Sequence, residues 1–211
     1  MTLHTKHRLK VRSKSSHKGE NGKVLIIGGS IDYAGAVYLV GAAAFRAGAD
    51  NVTIIAPEKV AWTMNCLSPD FITVKVKGNY FTTKSVKRII KLSKKFDVVV
   101  IGNGIGMRAE TKKFAIAVIN KIKGQKVIDA DAIKAVKLQG IQNAILTPHK
   151  KEYEMLLKNS KCHEKSVKKV IGDNVIIVKG EVDRIISAKK TATNKTGHAG
   201  MSVCGTGDVL A

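Results

Sequence analysis

Near the end of the chain, Gly205-Thr206-Gly207-Asp208 leads into Val209-Leu210-Ala211, placing two glycines just before a predicted helix start. Consecutive backbone N–H groups at such a start can surround an anionic oxygen, which makes this segment a candidate anion hole. Asp208 at the same place is suited to accept a proton from a hydroxyl as that hydroxyl attacks a phosphoryl group. The same carboxylate could instead only cap the helix, and the tetrapeptide alone leaves both readings open. Further groups of chemical interest are Gly28-Gly29-Ser30, Gly102-Asn103-Gly104-Ile105-Gly106, Asp129-Ala130-Asp131 and Thr147-Pro148-His149. His149 is either a ligand contact or a satisfied loop residue, and Asp129 and Asp131 either support a site from below or cap the next helix.

These groups need elements that bring them together. Short β-branched runs at 23–27, 52–55, 72–76, 97–101, 126–128, 144–146 and 174–178 read as strands, nearly continuous in apolar residues as parallel strands buried on both faces are. Between them, 35–47, 60–66, 83–93, 108–122 and 150–157 have helical spacing. The pattern predicts an α/β fold with a doubly wound, mainly parallel sheet flanked by helices, and 184–187 as an antiparallel partner of the strand before it. In open sheets of this kind ligands bind beyond the carboxyl ends of the strands. The groups at 28–30, 102–106, 129–131 and 147–149 follow the first, fourth, fifth and sixth predicted strands, so these four converge there.

Composition narrows the function classes. The chain of 211 residues carries 37 Lys and Arg against 16 Asp and Glu, a formal net charge of +21. That charge draws any polyanion, but no nucleic-acid reading module is recognisable, and the lysines, scattered along 84–95, 112–126 and 158–169, read as solvated faces. Cys66, Cys162 and Cys204 form no CxxC pair, which argues against a disulfide framework or zinc site and fits a reducing cytoplasm. Cys162-His163 reads as a chance surface pair. The basic segment 1–16 lacks both periodicities and is expected to be a flexible arm; no stretch is long and apolar enough to suggest a membrane span.

The order and spacing of the segments 17–30, 33–48, 102–106, 127–132, 145–149, 178–180 and 194–210 resemble the ADP-dependent (S)-NAD(P)H-hydrate dehydratases of the ribokinase-like superfamily. The resemblance implies a metabolite-repair lyase: the hydroxyl added to a damaged nicotinamide ring is phosphorylated at the expense of ADP and leaves as phosphate, restoring NADH or NADPH. Carried over by position, Asp208 is the base and a hydrate contact, with Gly205, Thr206 and Gly207 as the anion hole. Ala36, Gly104, Gly106 and His149 line the NADHX or NADPHX site. Lys179, Gly180, Glu181, Val182, Asp183 and Gly207 approach the nucleotide, the backbones of 181 and 183 more than their carboxylates. Mg2+ is the implied cofactor, with Glu152 holding its water unless that carboxylate only faces the helix macrodipole.

The resemblance further implies a homo-oligomer and a separate NAD(P)HX epimerase. The domain expected over 17–211 stops where the family's C-terminal helices begin, and the loop that usually has Pro at its second position has Asn103. Two other functions share these residues: a ribokinase-like kinase acting on another small-molecule hydroxyl, and a non-catalytic nucleotide-binding protein.

Overall fold

A computed structural model describes residues 12–211. The apolar runs form strands β1 (Lys23–Ile27), β2 (Asn51–Pro57), β3 (Ile72–Val76), β4 (Val98–Ile101), β5 (Gln125–Ile128), β6 (Ala144–Leu146) and β7 (Val175–Val178), joined in one sheet with β8 (Asp183–Ile186) and β9 (Thr191–Asn194). The strand order is β3-β2-β1-β4-β5-β6-β7-β8-β9. Every pairing from β3 to β7 is parallel, and the last two are antiparallel. The helices are α1 (Gly35–Arg46), α2 (Glu58–Leu67), α3 (Val86–Ser93), α4 (Ala109–Lys121), α5 (Ala130–Ala135), α6 (Lys150–Asn159), α7 (Val167–Val170) and α8 (Thr206–Leu210).

Successive strand residues point to opposite faces, and both faces are buried. Leu25 and Ile27 of β1 join one apolar cluster with Ile55, Ile101 and Ile128, whereas Ile26 joins the other with Ile54 and Val100. This is why the central strands read as unbroken apolar runs rather than as alternating ones. Under the first face Phe81 stacks on Phe114 with ring centroids 4.6 Å apart; under the second Phe71 stacks on Phe45 at 5.6 Å. Aromatic pairs in such offsets add stability beyond their area.

The doubly wound expectation is met, and of the partner expected over 184–187, residues 184–186 lie in β8, antiparallel to β7. The sequence reading omitted α5, α7 and β9. The first two are short, six and four residues, too brief to show a helical period; β9 is polar and has no buried residue, so it lacks the apolar signature of its neighbours. Residues 83–85 form a 3-10 turn ahead of α3 rather than its first turn. Of the arm expected over 1–16, residues 1–11 lie outside the described residues. Beyond them, Arg12 pairs with Asp50 at 2.9 Å and donates to the Gly48 carbonyl at 2.7 Å. No helix among the described residues is long and apolar enough to cross a membrane.

The order of strands reverses between β1 and β4, since β1 leads outward to β2 on one side while β4 and β5 run on the other. A crevice at the carboxyl ends of the strands is expected at that switch point.

Candidate active site

The loops after β1 and β4 meet there. Gly29 N–H donates to the Asn103 carbonyl at 2.8 Å, tying the two glycine segments together. Gly102 must be glycine: its φ is +128° and a Cβ would fall 1.9 Å from the Asp129 carbonyl oxygen. The close approach of β4 and β5 that results lets Asn103 reach the carboxylate at the end of the neighbouring strand.

Asp129 follows β5 and is buried. Its Oδ2 accepts from Asn103 Nδ2 at 2.9 Å, and its Oδ1 accepts from Thr147 Oγ1 at 2.7 Å and Lys179 Nζ at 3.0 Å. No capping bond runs from its side chain to α5, so the capping reading does not apply to Asp129, and its carboxylate instead joins the ends of the neighbouring strands. Ala130 takes a left-handed φ of +50°, an uncommon conformation for a residue with a Cβ. The turn directs the carboxylates either side of it to different partners: Asp129 to Asn103, and Asp131 to the Gly106 N–H at 2.9 Å and to Lys134 at 2.8 Å. Burial pulls the Lys134 ammonium towards its neutral form, but the Asp131 hydrogen bond and the Asp131 and Glu152 charges outweigh it and raise the pKa.

Asp208 enters from α8. Gly205 caps that helix in the left-handed region, φ +95°, which a side chain would disfavour. Asp208 lies within the first turn of α8 rather than at its cap; its Oδ1 accepts from Asn103 Nδ2 at 2.8 Å. Its pKa is raised, chiefly because burial disfavours the charge and further because Asp129 is near; the Asn103 hydrogen bond and Lys179 act in the opposite direction. A carboxyl so poised is a better proton acceptor than an exposed one. Lys179 also lies beside the candidate anion hole, its Nζ 3.3 Å from where a Cβ on Gly207 would sit. An anion reaching Gly207 therefore meets an ammonium and the open N–H groups of a helix start together.

A cavity of about 460 Å3 opens above Asp208, lined by the predicted Ala36, Gly104 and Gly106 and also by Tyr33, Met107, Asp131 and Lys134. A larger hollow of about 570 Å3 lies at the opposite, amino end of β2 and β3. There Asp50 is already engaged by the Gly19 and Asn21 N–H groups, and open parallel sheets do not bind ligands at that end. The smaller cavity is the candidate site.

Other predicted residues are placed differently. His149 is outside the cavity lining. It caps α6, its Nδ1 accepting from the Glu152 N–H at 3.3 Å while Glu152 Oε2 accepts from the His149 N–H at 3.0 Å. Glu152 is buried in that reciprocal box, with Lys134 Nζ 3.8 Å from Oε1. A carboxylate so engaged does not fit the role of a free acceptor for metal-bound water, and the helix-start reading is the one its geometry supports. Among the described residues no three His, Cys, Asp or Glu side chains form a metal cage. Gly180, Glu181 and Val182 form the β7–β8 turn, where the carboxylate of Asp183 accepts from the Gly180 N–H at 3.1 Å and from Asn194 at 3.2 Å. The side chain of Asp183 thus stabilises the turn, leaving its backbone as the surface a nucleotide would meet.

The sequence reading missed Asn103, Thr147 and Lys134 as site residues. Asn103 and Thr147 stood inside motifs already singled out, but a buried amide or hydroxyl is not distinguished from a loop residue by spacing. Lys134 had a signal: it follows Asp131 by three, the separation that pairs side chains on a helix.

A parallel sheet with helices on both faces, and a glycine-rich crevice holding a buried carboxylate at the switch point, defines a doubly wound α/β protein with a ligand-binding crevice. The profile described as NAD(P)H-hydrate dehydratase matches residues 24–211, and the chain belongs to that family. It is 43% identical over 212 residues to the bifunctional NAD(P)H-hydrate repair enzyme Nnr of Methanocaldococcus jannaschii, covering 96% of this chain and 40% of the relative. It is 30% identical to the ADP-dependent (S)-NAD(P)H-hydrate dehydratase of Cenarchaeum symbiosum, covering 94% of this chain and 73% of that protein. The fold is shared with the ADP/ATP-dependent NAD(P)H-hydrate dehydratase of Bacillus subtilis co-crystallised with ATP and Mg2+: TM-score 0.76 at 24% identity, over 95% of this chain and 73% of the other. The chain thus spans about 40% of the length of the bifunctional relative.

Proposed function

We propose that this protein dehydrates (S)-NADHX or (S)-NADPHX to the reduced dinucleotide at the expense of ADP, giving AMP and phosphate. The observation that carries the reading is the placement of Asp208 between a cavity large enough for a hydrated nicotinamide and an anion hole flanked by Lys179. The relatives' names supply the substrate class.

In this reading Asp208 takes the proton of the ring hydroxyl as its oxygen attacks the β-phosphorus of ADP. An O–P bond forms, the bond from that phosphorus to the bridging oxygen breaks, and AMP leaves. Hydroxide is a poor leaving group, whereas the phosphate now attached is a good one. The ring-nitrogen lone pair expels it, and loss of a proton from the adjacent ring carbon restores the dihydropyridine. The Gly205–Gly207 backbone and Lys179 balance charge on the transferring group, and the cavity wall at Ala36, Gly104 and Tyr33 orients the ring. Magnesium would accompany the nucleotide and screen its phosphate charge; among the described residues no cluster of three His, Cys, Asp or Glu side chains stands ready to hold it.

Product analysis tests this against a kinase on the same fold. With hydrated NADH and ADP, equal amounts of AMP, inorganic phosphate and NADH are expected. Accumulation of a stable phosphorylated product would instead make the protein a small-molecule kinase.

A further inference from the structure

Two carboxylates at the site share one amide. Asn103 Nδ2 donates to Asp129 Oδ2 at 2.9 Å and to Asp208 Oδ1 at 2.8 Å. The residue is buried, and its Oδ1 has no hydrogen-bond partner. The two carboxylates fix the sense of the amide: turned over, it would press an acceptor against two acceptors. An apolar side chain of equal size would avoid the unsatisfied atom, so a buried amide with an idle oxygen is costly unless its donors are needed.

We propose that Asn103 is a positioning residue for Asp208, holding its carboxyl towards the cavity and keeping it available as a base beside a second carboxylate. The proposal rests on the reading of Asp208 as the base. Among the described residues, Asn103 is the only group hydrogen-bonded to the Asp208 side chain. The charges facing Asp208 are Asp129 from the end of β5 and Lys179 from the end of β7, with Asp131 and Lys134 of α5 sharing the cavity. Helix α1, which packs on α8, brings Leu39 against Gly205 and has no charged residue before Arg46. Two carboxylates left beside each other without a donor between them compete for a proton. The Asn103 amide, with one N–H for each, removes that competition.

The test is Asn103→Leu, which keeps the volume and deletes both donors, beside Asn103→Ser, which keeps one. The Asp208 carboxyl is titrated by 13C NMR in the full chain, its signal identified by loss in Asp208→Asn, and kcat/KM for hydrated NADH is followed against pH. Asn103→Leu is expected to raise the Asp208 midpoint by about one pH unit, to carry the acid limb of kcat/KM up with it, and to lower kcat more than it changes KM for ADP. Asn103→Ser falls between. An unchanged midpoint in either variant, with wild-type circular dichroism, would overturn the proposal. If the midpoint moves but wild type turns over no hydrated NADH at any pH, the positioning role stands and the dehydratase reading fails.

Discussion

Lys179 Nζ lies 3.0 Å from Asp129 Oδ1, joining the carboxyl ends of β7 and β5 in a pair whose carboxylate side chain is 3% exposed. Because Asp129 also holds Asn103 and Thr147, this ion pair belongs to a network that joins the ends of β4, β5, β6 and β7 beneath Asp208. Removing one partner of a buried pair leaves the other uncompensated, at a cost of roughly 3–5 kcal/mol. Lys179→Met is expected to lower the urea midpoint accordingly and to raise KM for ADP about tenfold. Adding Asp129→Asn should recover part of the stability and none of the affinity. Equal denaturation curves for wild type and Lys179→Met would contradict this.

Asp208 carries a raised pKa, so its folded state binds a proton more readily than its unfolded state. The sign follows: the carboxyl adds stability below its unfolded value, and that contribution is lost as pH rises through the folded pKa. At neutral pH, where function needs the ionised form, Asp208→Asn is expected to melt no lower than wild type, and any advantage should vanish in acid. Loss of turnover by about a hundredfold or more accompanies it. A variant that melts well below wild type at pH 7 would show that the carboxylate is held by attraction rather than tolerated.

The fold was legible because β1, β2 and β4 are buried on both faces and their composition says so. The proposed base and anion hole came from the family resemblance of 194–210, because Gly205-Thr206-Gly207-Asp208 by itself leaves a capping role for Asp208 equally open. What hid was whatever depends on which side chain turns towards which. Glu152 and His149 fit a binding role by position, yet a carboxylate three residues after an imidazole at a helix start can close a capping box instead. Asn103 carries no such local pattern: its partners Asp129 and Asp208 lie 26 and 105 residues away.

Two glycines of one loop separate steric from conformational demand. Gly102→Ala would drive a Cβ into the Asp129 carbonyl, whereas Gly106→Ala meets nothing within 4 Å but keeps a φ of +82°. The second should cost about 1–3 kcal/mol in thermal or chemical unfolding. The first should cost more and also lower activity, because it displaces Asp129. Similar losses for both would argue against the tight β4–β5 contact.

At the far end of the sheet, the Asn21 backbone and side chain, with help from Gly19 and Arg12, outweigh partial desolvation and hold the Asp50 carboxyl below its usual value. A depressed carboxyl stabilises above its unfolded pKa and loses that contribution as pH falls through the folded one. Hydrogen exchange at Gly19 and Asn21 is therefore expected to accelerate in Asp50→Asn at neutral pH, and in wild type only in strong acid. Unaltered exchange in the variant would show that this segment is held by other contacts.

The most direct test of the central claim is recovery of the reduced-nicotinamide absorbance from purified hydrated NADH with ADP and magnesium, for wild type beside Asp208→Asn. Recovery that requires ADP and is lost in the variant is the predicted result. Recovery undiminished in Asp208→Asn, or none from a folded wild type that binds ADP, would contradict the assignment of this site.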